Sequence, residues 1–301
     1  MNYSIRKAEI KEIEIELTGT CQLECPLCTR NTEASNHRSI TNIRRFKELV
    51  ETFEEYPSLE LLYIAGTSTE PTLHPDFLEL CEYWVSRGIR LELHTNGNGR
   101  KLTWWKKLSK ILTPQDKVFF CICGSTQEVH EYYRKGSDLA EIMANAKAFR
   151  TYKANDVFQF IRFEYNIHEL EMDSLKEMIS EYSDLLIVDT EIDRSPKHYI
   201  EEVPKGIAPY PDRRVKLKAI IEARVTKGVM SPLCFKQKSI FIDQFGKAYG
   251  CYSFPKEQPE DYFKGDPYNF EDQFNCTHEV CWKCTSRSVK LVDVFNLEYI
   301  Y

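Results

Sequence analysis

Short apolar runs alternate with longer amphipathic stretches along the first 190 or so residues. The runs IEIEL (13–17), LELLYIAG (59–66), IRLELHTNG (89–97), KVFFCICG (117–124), VFQFIRFEYN (157–166) and LLIVDTEI (185–192) have the length and β-branched or aromatic content of strands. Between them, IRRFKELVETFEEY, PDFLELCEYWVSRG, TWWKKLSKIL, DLAEIMANAKAFRTYK and EMDSLKEMISEYS read as helices. Asp76 following Pro75, Thr103 ahead of the tryptophans and Asp173–Ser174 ahead of Leu175 serve as start signals. Six strands separated by helices predict an α/β fold with a parallel sheet, right-handed crossovers and a barrel or half-barrel.

The strands carry a second pattern. Glu14 and Glu16 alternate with Ile13, Ile15 and Leu17; Glu92, His94 and Asn96 share a face; so do Arg162, Glu164 and Asn166. One face of each strand must be apolar to pack beneath the helices. The other face is charged; either it points inward or the charges sit at strand ends in solvent, and the repetition favours a lined cavity. A closed eight-stranded barrel fills its lumen with branched apolar residues, whereas an incompletely closed six-stranded one can keep a polar cavity. Arg162 and Glu164 are therefore the candidates for contact with substrate.

Beyond residue 193 the alternation stops. Residues 194–230 hold the proline-rich stretch RSPKHYIEEVPKGIAPYPDRR and a helix-like segment, VKLKAIIEARVTKG. Residues 231–301 form a cysteine-rich tail in which SIFIDQFGKAYGCYSF predicts a hairpin turning near Gly246.

Composition narrows the class. The 301 residues are 29% charged and 42% hydrophobic with a formal net charge of −6, an ordinary globular balance that calls for no nucleic acid or membrane. No run approaches the roughly 20 apolar residues of a membrane helix, and the start, MNYSIRKAEIKEIEIEL, lacks a signal-peptide core. A cytoplasmic location is expected. Eleven cysteines in that compartment argue for metal or redox chemistry over disulfides.

Cys21, Cys25 and Cys28 sit in TGTCQLECPLCTR, directly after the first strand. Thiolates are the ligands of iron–sulfur clusters, and three of them on a four-iron cube leave one iron open. The competing reading is a zinc site completed by a residue such as His37, or buried free thiols. CxxxCxxC after a first strand, followed by alternating β and α, resembles the radical SAM superfamily. That resemblance implies a partial (β/α)6 TIM-type barrel over residues 1–193. It also implies a [4Fe–4S] cluster on Cys21, Cys25 and Cys28 that binds S-adenosylmethionine at its open iron, and reductive cleavage to a 5′-deoxyadenosyl radical. An external electron donor such as flavodoxin or ferredoxin is implied as partner.

Other segments extend the resemblance. AGTSTEPTLHPDF (65–77) is similar to the family's GGEP element, matching at Glu70 and Pro71, so Ser68, Thr69 and Glu70 inherit contact with the amino group of S-adenosylmethionine. HTNGNG (94–99) resembles the turn after the third strand, which places Asn96 among the cofactor contacts; Asn166, after the fifth, is placed there too. FCICGSTQEVHEYYRKG (120–136) resembles the S-x-D-G…R segment with Cys121 and Cys123 in place of serine and aspartate, and Arg134 matches the arginine near the cofactor carboxylate. Leu27 occupies the position usually held by an aromatic residue against the adenine.

In the tail, Cys234, Gly246, Cys251, Cys281 and Cys284 are spaced as in the truncated SPASM, or twitch, domain, a small β-hairpin-plus-helix unit. This resemblance implies a second, closed [4Fe–4S] cluster, with Cys276 able to replace one ligand; a zinc ribbon is the alternative. Cys81, in an apolar helix stretch, reads as a core residue. The middle of the chain, including TNGNGRKLTWWKKL, EYYRKG and FEYNIHELE, is also similar to radical SAM proteins of phages and marine microbes.

The family implies hydrogen abstraction from a polar small molecule, amino acid or peptide, with oxidation or rearrangement as outcome. A modified nucleobase or nucleotide, in viral DNA for example, is the second reading; a non-catalytic iron–sulfur protein is the third. The basic stretch GRKLTWWKKLSK suits either nucleic-acid contact or an amphipathic helix with Trp104 or Trp105 in the core; the helix is favoured.

Overall fold

The computed structural model describes residues 3–26, 28, 45–65, 69–152, 155–166, 168–169, 173–180, 184–189, 239–242, 248–249 and 273–276. All six expected strands form: β2 (Glu12–Ile15), β3 (Leu61–Ile64), β4 (Arg90–Thr95), β5 (Lys117–Ile122), β6 (Asn155–Arg162) and β7 (Asp184–Asp189). They pair in parallel and in chain order, β2 with β3, β3 with β4 and on to β7. Crossovers of one hand between sequential neighbours put every helix on the same face, the winding of a barrel rather than of a doubly wound sheet.

The helices α1 (Phe46–Glu54), α2 (Phe77–Ser86), α3 (Leu102–Ile111), α4 (Gln127–Tyr133), α5 (Leu139–Phe149) and α6 (Asp173–Ile179) fill those crossovers. Strand alternation builds the core. Ile13 and Ile15, Leu62 and Ile64, Leu91 and Leu93, and Val118, Phe120 and Ile122 pack on Phe53, Trp84, Trp105 and Phe149 of the helices. Burying each such side chain is worth about 1.5–3 kcal/mol. Cys81 belongs to this core, as read from the sequence. Trp105 is fully buried, while Trp104 packs on Phe77 and under the Arg100 guanidinium. The basic tryptophan stretch is therefore the amphipathic helix α3.

Local details depart from the expected pattern: α3 already begins at Leu102, so Thr103 lies inside the helix rather than ahead of it. Asp76 precedes α2 without capping it; its carboxylate instead takes the Phe46 N–H at 3.1 Å and the Arg45 guanidinium at 2.6 Å, fastening the start of α1. The short helix α4 lies where only a family-like segment was read. It starts from the Thr126 side chain, and Gly124 allows it to sit close: a Cβ on Gly124 would meet the His130 backbone nitrogen at 2.7 Å.

The tail returns to the sheet. β8 (Ser239–Ile242) pairs in parallel with β2, and β9 (Ala248–Tyr249) pairs antiparallel with β8, the pairing of the expected hairpin. β1 (Tyr3–Arg6) pairs antiparallel with β10 (Gln273–Cys276), setting Cys276 opposite Tyr3 in the ladder. No described helix is long and apolar enough to cross a membrane. Leu27, Ser68, Cys234, Cys251, Cys281, Cys284 and the 194–230 segment lie outside the described residues.

Candidate active site

Parallel strands direct all their carboxyl ends to one edge, where the loops after β2, β3, β4, β5 and β6 meet. The loop after β2 carries Cys21, Cys25 and Cys28, all half-buried and none in a disulfide. Backbone bonds anchor it on both sides: Glu70 N–H donates to Thr20 carbonyl at 2.8 Å, and Glu24 N–H to Lys135 carbonyl at 2.9 Å. Within it, Cys28 N–H reaches Cys25 carbonyl at 3.1 Å, and Leu23 N–H reaches Cys21 Sγ at 3.4 Å. Three thiols on one short, anchored loop can ligate three metals of a cluster. Burial pushes the Cys25 thiol up to about 12, against the pull of Arg134, so it carries its proton at neutral pH until a metal replaces it.

Glu70, after β3, is buried and its carboxylate is heavily engaged. Oε1 accepts from Thr72 N–H (3.2 Å), Thr72 Oγ1 (2.6 Å) and Thr95 Oγ1 (2.6 Å), and Oε2 accepts from Asn96 N–H (2.7 Å). Burial raises its pKa and these bonds oppose the rise. Glu70 thus ties the β3 loop to the β4 loop. Asn96 is buried with Nδ2 3.5 Å from Cys21 Sγ.

Arg134, at the end of α4, is 8% exposed. Burial works against its charge and the neighbouring Cys123, Cys121 and Cys25 favour it, and the net shift is upward, so the guanidinium is cationic, as arginine is in proteins generally. It hydrogen-bonds Cys121 and Cys123. Cys121 and Cys123, two residues apart on β5 and its exit, present their sulfurs on one face, and burial raises the Cys121 thiol to about 11. Thr69 Oγ1 and Arg134 Nε are buried with no hydrogen-bond partner among the described residues. A hydroxyl and a guanidinium N–H left open beside a three-thiol loop suit a ligand with amino and carboxylate groups. The donor set therefore fits both an iron–sulfur cluster and S-adenosylmethionine.

Asn166, expected inside, has a structural role at the end of β6. β6 stops at Arg162 because Asn166 takes over the backbone: its Oδ1 accepts Phe163 N–H at 2.7 Å, and its Nδ2 donates to Cys123 carbonyl at 2.8 Å and Ile161 carbonyl at 3.0 Å. Glu164 falls in the resulting turn and is exposed. The inner face is lined by His94, stacked on Phe119 at 4.2 Å and close to Tyr63, with Gln159 Oε1 accepting from both His94 Nδ1 (2.7 Å) and Cys121 Sγ (3.2 Å).

A buried relay stands behind these groups. Cys123 N–H donates to His130 Nδ1 (3.2 Å), which leaves Nε2–H to donate to Ser137 Oγ (2.9 Å), and Ser137 donates to Asn98 Oδ1 (2.6 Å). It locks the end of β5, the end of α4 and the turn after β4 together. Nothing in the local sequence marks it beyond a histidine at a helical spacing from Thr126. Burial, and then Arg134, hold His130 down at about 3 from an ordinary 6.5. The unfolded chain therefore binds a proton between those values that the native one does not, and stability falls as pH drops below 6.5. Urea unfolding is expected to lose about 2 kcal/mol between pH 6.5 and pH 5 from this group, and His130→Gln is expected to flatten that part of the profile.

Residues 15–179 match the family model of the radical SAM superfamily. The tungsten-containing aldehyde ferredoxin oxidoreductase cofactor-modifying protein of Pyrococcus furiosus is 28% identical over 88 residues, 29% of this chain and 24% of that protein. The mycofactocin maturase MftC of Mycobacterium tuberculosis is 26% identical over 119 residues, 40% of this chain and 29% of that protein. These alignments span less than a third of either relative. Among solved structures, Streptococcus suis SuiB bound to precursor peptide SuiA superposes with a TM-score of 0.57 at 14% identity, over 85% of this chain and 63% of that one, a likeness of fold.

Proposed function

Because the chain belongs to the radical SAM superfamily, we propose that it is an enzyme that holds a [4Fe–4S] cluster on Cys21, Cys25 and Cys28 and cleaves S-adenosylmethionine reductively. The observation that carries this reading is the anchored three-thiol loop at the carboxyl edge of the sheet, with the cationic Arg134 and the open Thr69 hydroxyl beside it. When bound, the cluster and cofactor supply an electron and a 5′-deoxyadenosyl radical able to take hydrogen from a substrate. The chain's residues do the placing. Arg134 offers its guanidinium to the cofactor carboxylate, Thr69 with Ser68 and the Glu70 loop faces the amino group, and Leu27 borders the adenine. Asn96, Cys121, Cys123 and Asn166 shape the surrounding wall.

The substrate we favour is peptide-like or another polar molecule bound against the inner face formed by His94, Cys121 and Gln159. Support comes from a maturase among the relatives and a precursor peptide in the SuiB structure. Arg162, ending β6, and Glu164, exposed beyond it, border the mouth through which such a substrate passes. In the tail, Cys234, Cys251, Cys281 and Cys284, with Cys276 as an alternative, hold an auxiliary cluster in a twitch-like domain. The reductant is a flavodoxin or ferredoxin, and the location is cytoplasmic.

Anaerobically reconstituted protein given dithionite and S-adenosylmethionine is expected to form 5′-deoxyadenosine, and none under any reductant would refute the enzyme reading. Iron analysis should return about eight irons per chain for two clusters; about four would remove the auxiliary one.

A further inference from the structure

The cysteine loop holds one side chain that the cofactor reading leaves without a task. Gln22, next to Cys21, is exposed, yet its amide is paired reciprocally with buried Asn96 across 74 residues of sequence: Gln22 Nε2 donates to Asn96 Oδ1 at 2.9 Å, and Asn96 Nδ2 reaches Gln22 Oε1 at 3.4 Å. Asn98 N–H also donates to Asn96 Oδ1, at 2.9 Å. A backbone N–H can only donate, so Oδ1 must face it and the Asn96 amide has one orientation. That orientation aims Nδ2 at Cys21 Sγ, 3.5 Å away, where Leu23 N–H already arrives at 3.4 Å. Gly99, at φ +85°, leaves the room this needs, since a Cβ there would sit 3.2 Å from Gln22 Nε2.

The geometry points to a redox-tuning clamp: Gln22 positions Asn96 so that its amide N–H bonds the Cys21 sulfur and raises the reduction potential of the cluster it ligates. This rests on the cluster assignment made above. Reduction adds one electron whose charge spreads onto the thiolate sulfurs, and an N–H donor stabilises the more negative state more. The supporting groups around a ligand tune a metal as the ligand itself does. Asn96 acts on the sulfur directly; Gln22 is a positioning residue that acts through it.

The test is an EPR-monitored redox titration of reconstituted full-length protein, read on the signal that changes when S-adenosylmethionine is added. Asn96→Asp keeps acceptors for Gln22 and Asn98 and loses the donor. Its ratio of reduced to oxidised cluster at a fixed poise is expected to fall about tenfold, which is ~59 mV for a one-electron couple. Gln22→Leu, at an exposed position, should move the midpoint the same way by less, with iron content unchanged. Midpoints equal to wild type in both variants, with the cluster assembled, overturn the clamp alone. A wild-type chain that assembles no such cluster overturns the proposed function and the clamp with it.

Discussion

Replacing Cys21, Cys25 and Cys28 together by alanine is expected to abolish 5′-deoxyadenosine formation and to lower iron content by about half if the tail carries its own cluster. Alanine removes the Asn96 contact to the Cys21 sulfur but leaves the loop's backbone bonds through Glu70 N–H and Glu24 N–H and its Gln22–Asn96 pairing in place. The three thiols are half-buried and lie outside the main core cluster, so their truncation opens no large cavity. The far-ultraviolet circular dichroism spectrum should therefore match wild type while the visible iron–sulfur absorbance drops. A variant that still makes 5′-deoxyadenosine would move the chemistry to other cysteines.

Arg134→Ala is expected to weaken S-adenosylmethionine binding by roughly two orders of magnitude, as removal of a buried charged partner costs about 2–5 kcal/mol. Arg134 is held at the end of α4, where its backbone N–H donates to His130 carbonyl at 3.2 Å, and its guanidinium faces three sulfurs in a buried setting. Arg134→Lys should rescue little, because an ammonium keeps the charge but not the planar pair of donors that fits a carboxylate. Equilibrium binding to the cluster-loaded enzyme measures this apart from turnover. Affinity unchanged in Arg134→Ala would place the cofactor carboxylate elsewhere.

The site was unevenly legible in the sequence. The cysteine triplet could be read because its ligands sit within eight residues of one another. Glu70 was read as a contact, yet its carboxylate is largely spent on Thr72, Thr95 and Asn96. Alternation puts Asn166 on one face with Arg162 and Glu164, but its side-chain bonds to Cys123 and Ile161 end the strand before that alternation can run. A period-2 pattern assumes that a strand continues, and only the partner of a side chain can say where it stops.

By itself the sequence determined the elements and their order: six apolar runs with helices between them, an amphipathic α3 with its tryptophan inward, and a thiol loop after the first strand of the barrel. Those follow from local periodicity and short spacing, which act within a few residues. The tertiary structure alone decided the return of β8 to pair with β2 and the relay through His130, Ser137 and Asn98. It alone decided the meeting of Gln22, Asn96 and Cys21. Each depends on donors and acceptors tens of residues apart in the chain. Buried polar groups must find partners wherever packing has placed them, and that placement is a property of the whole fold.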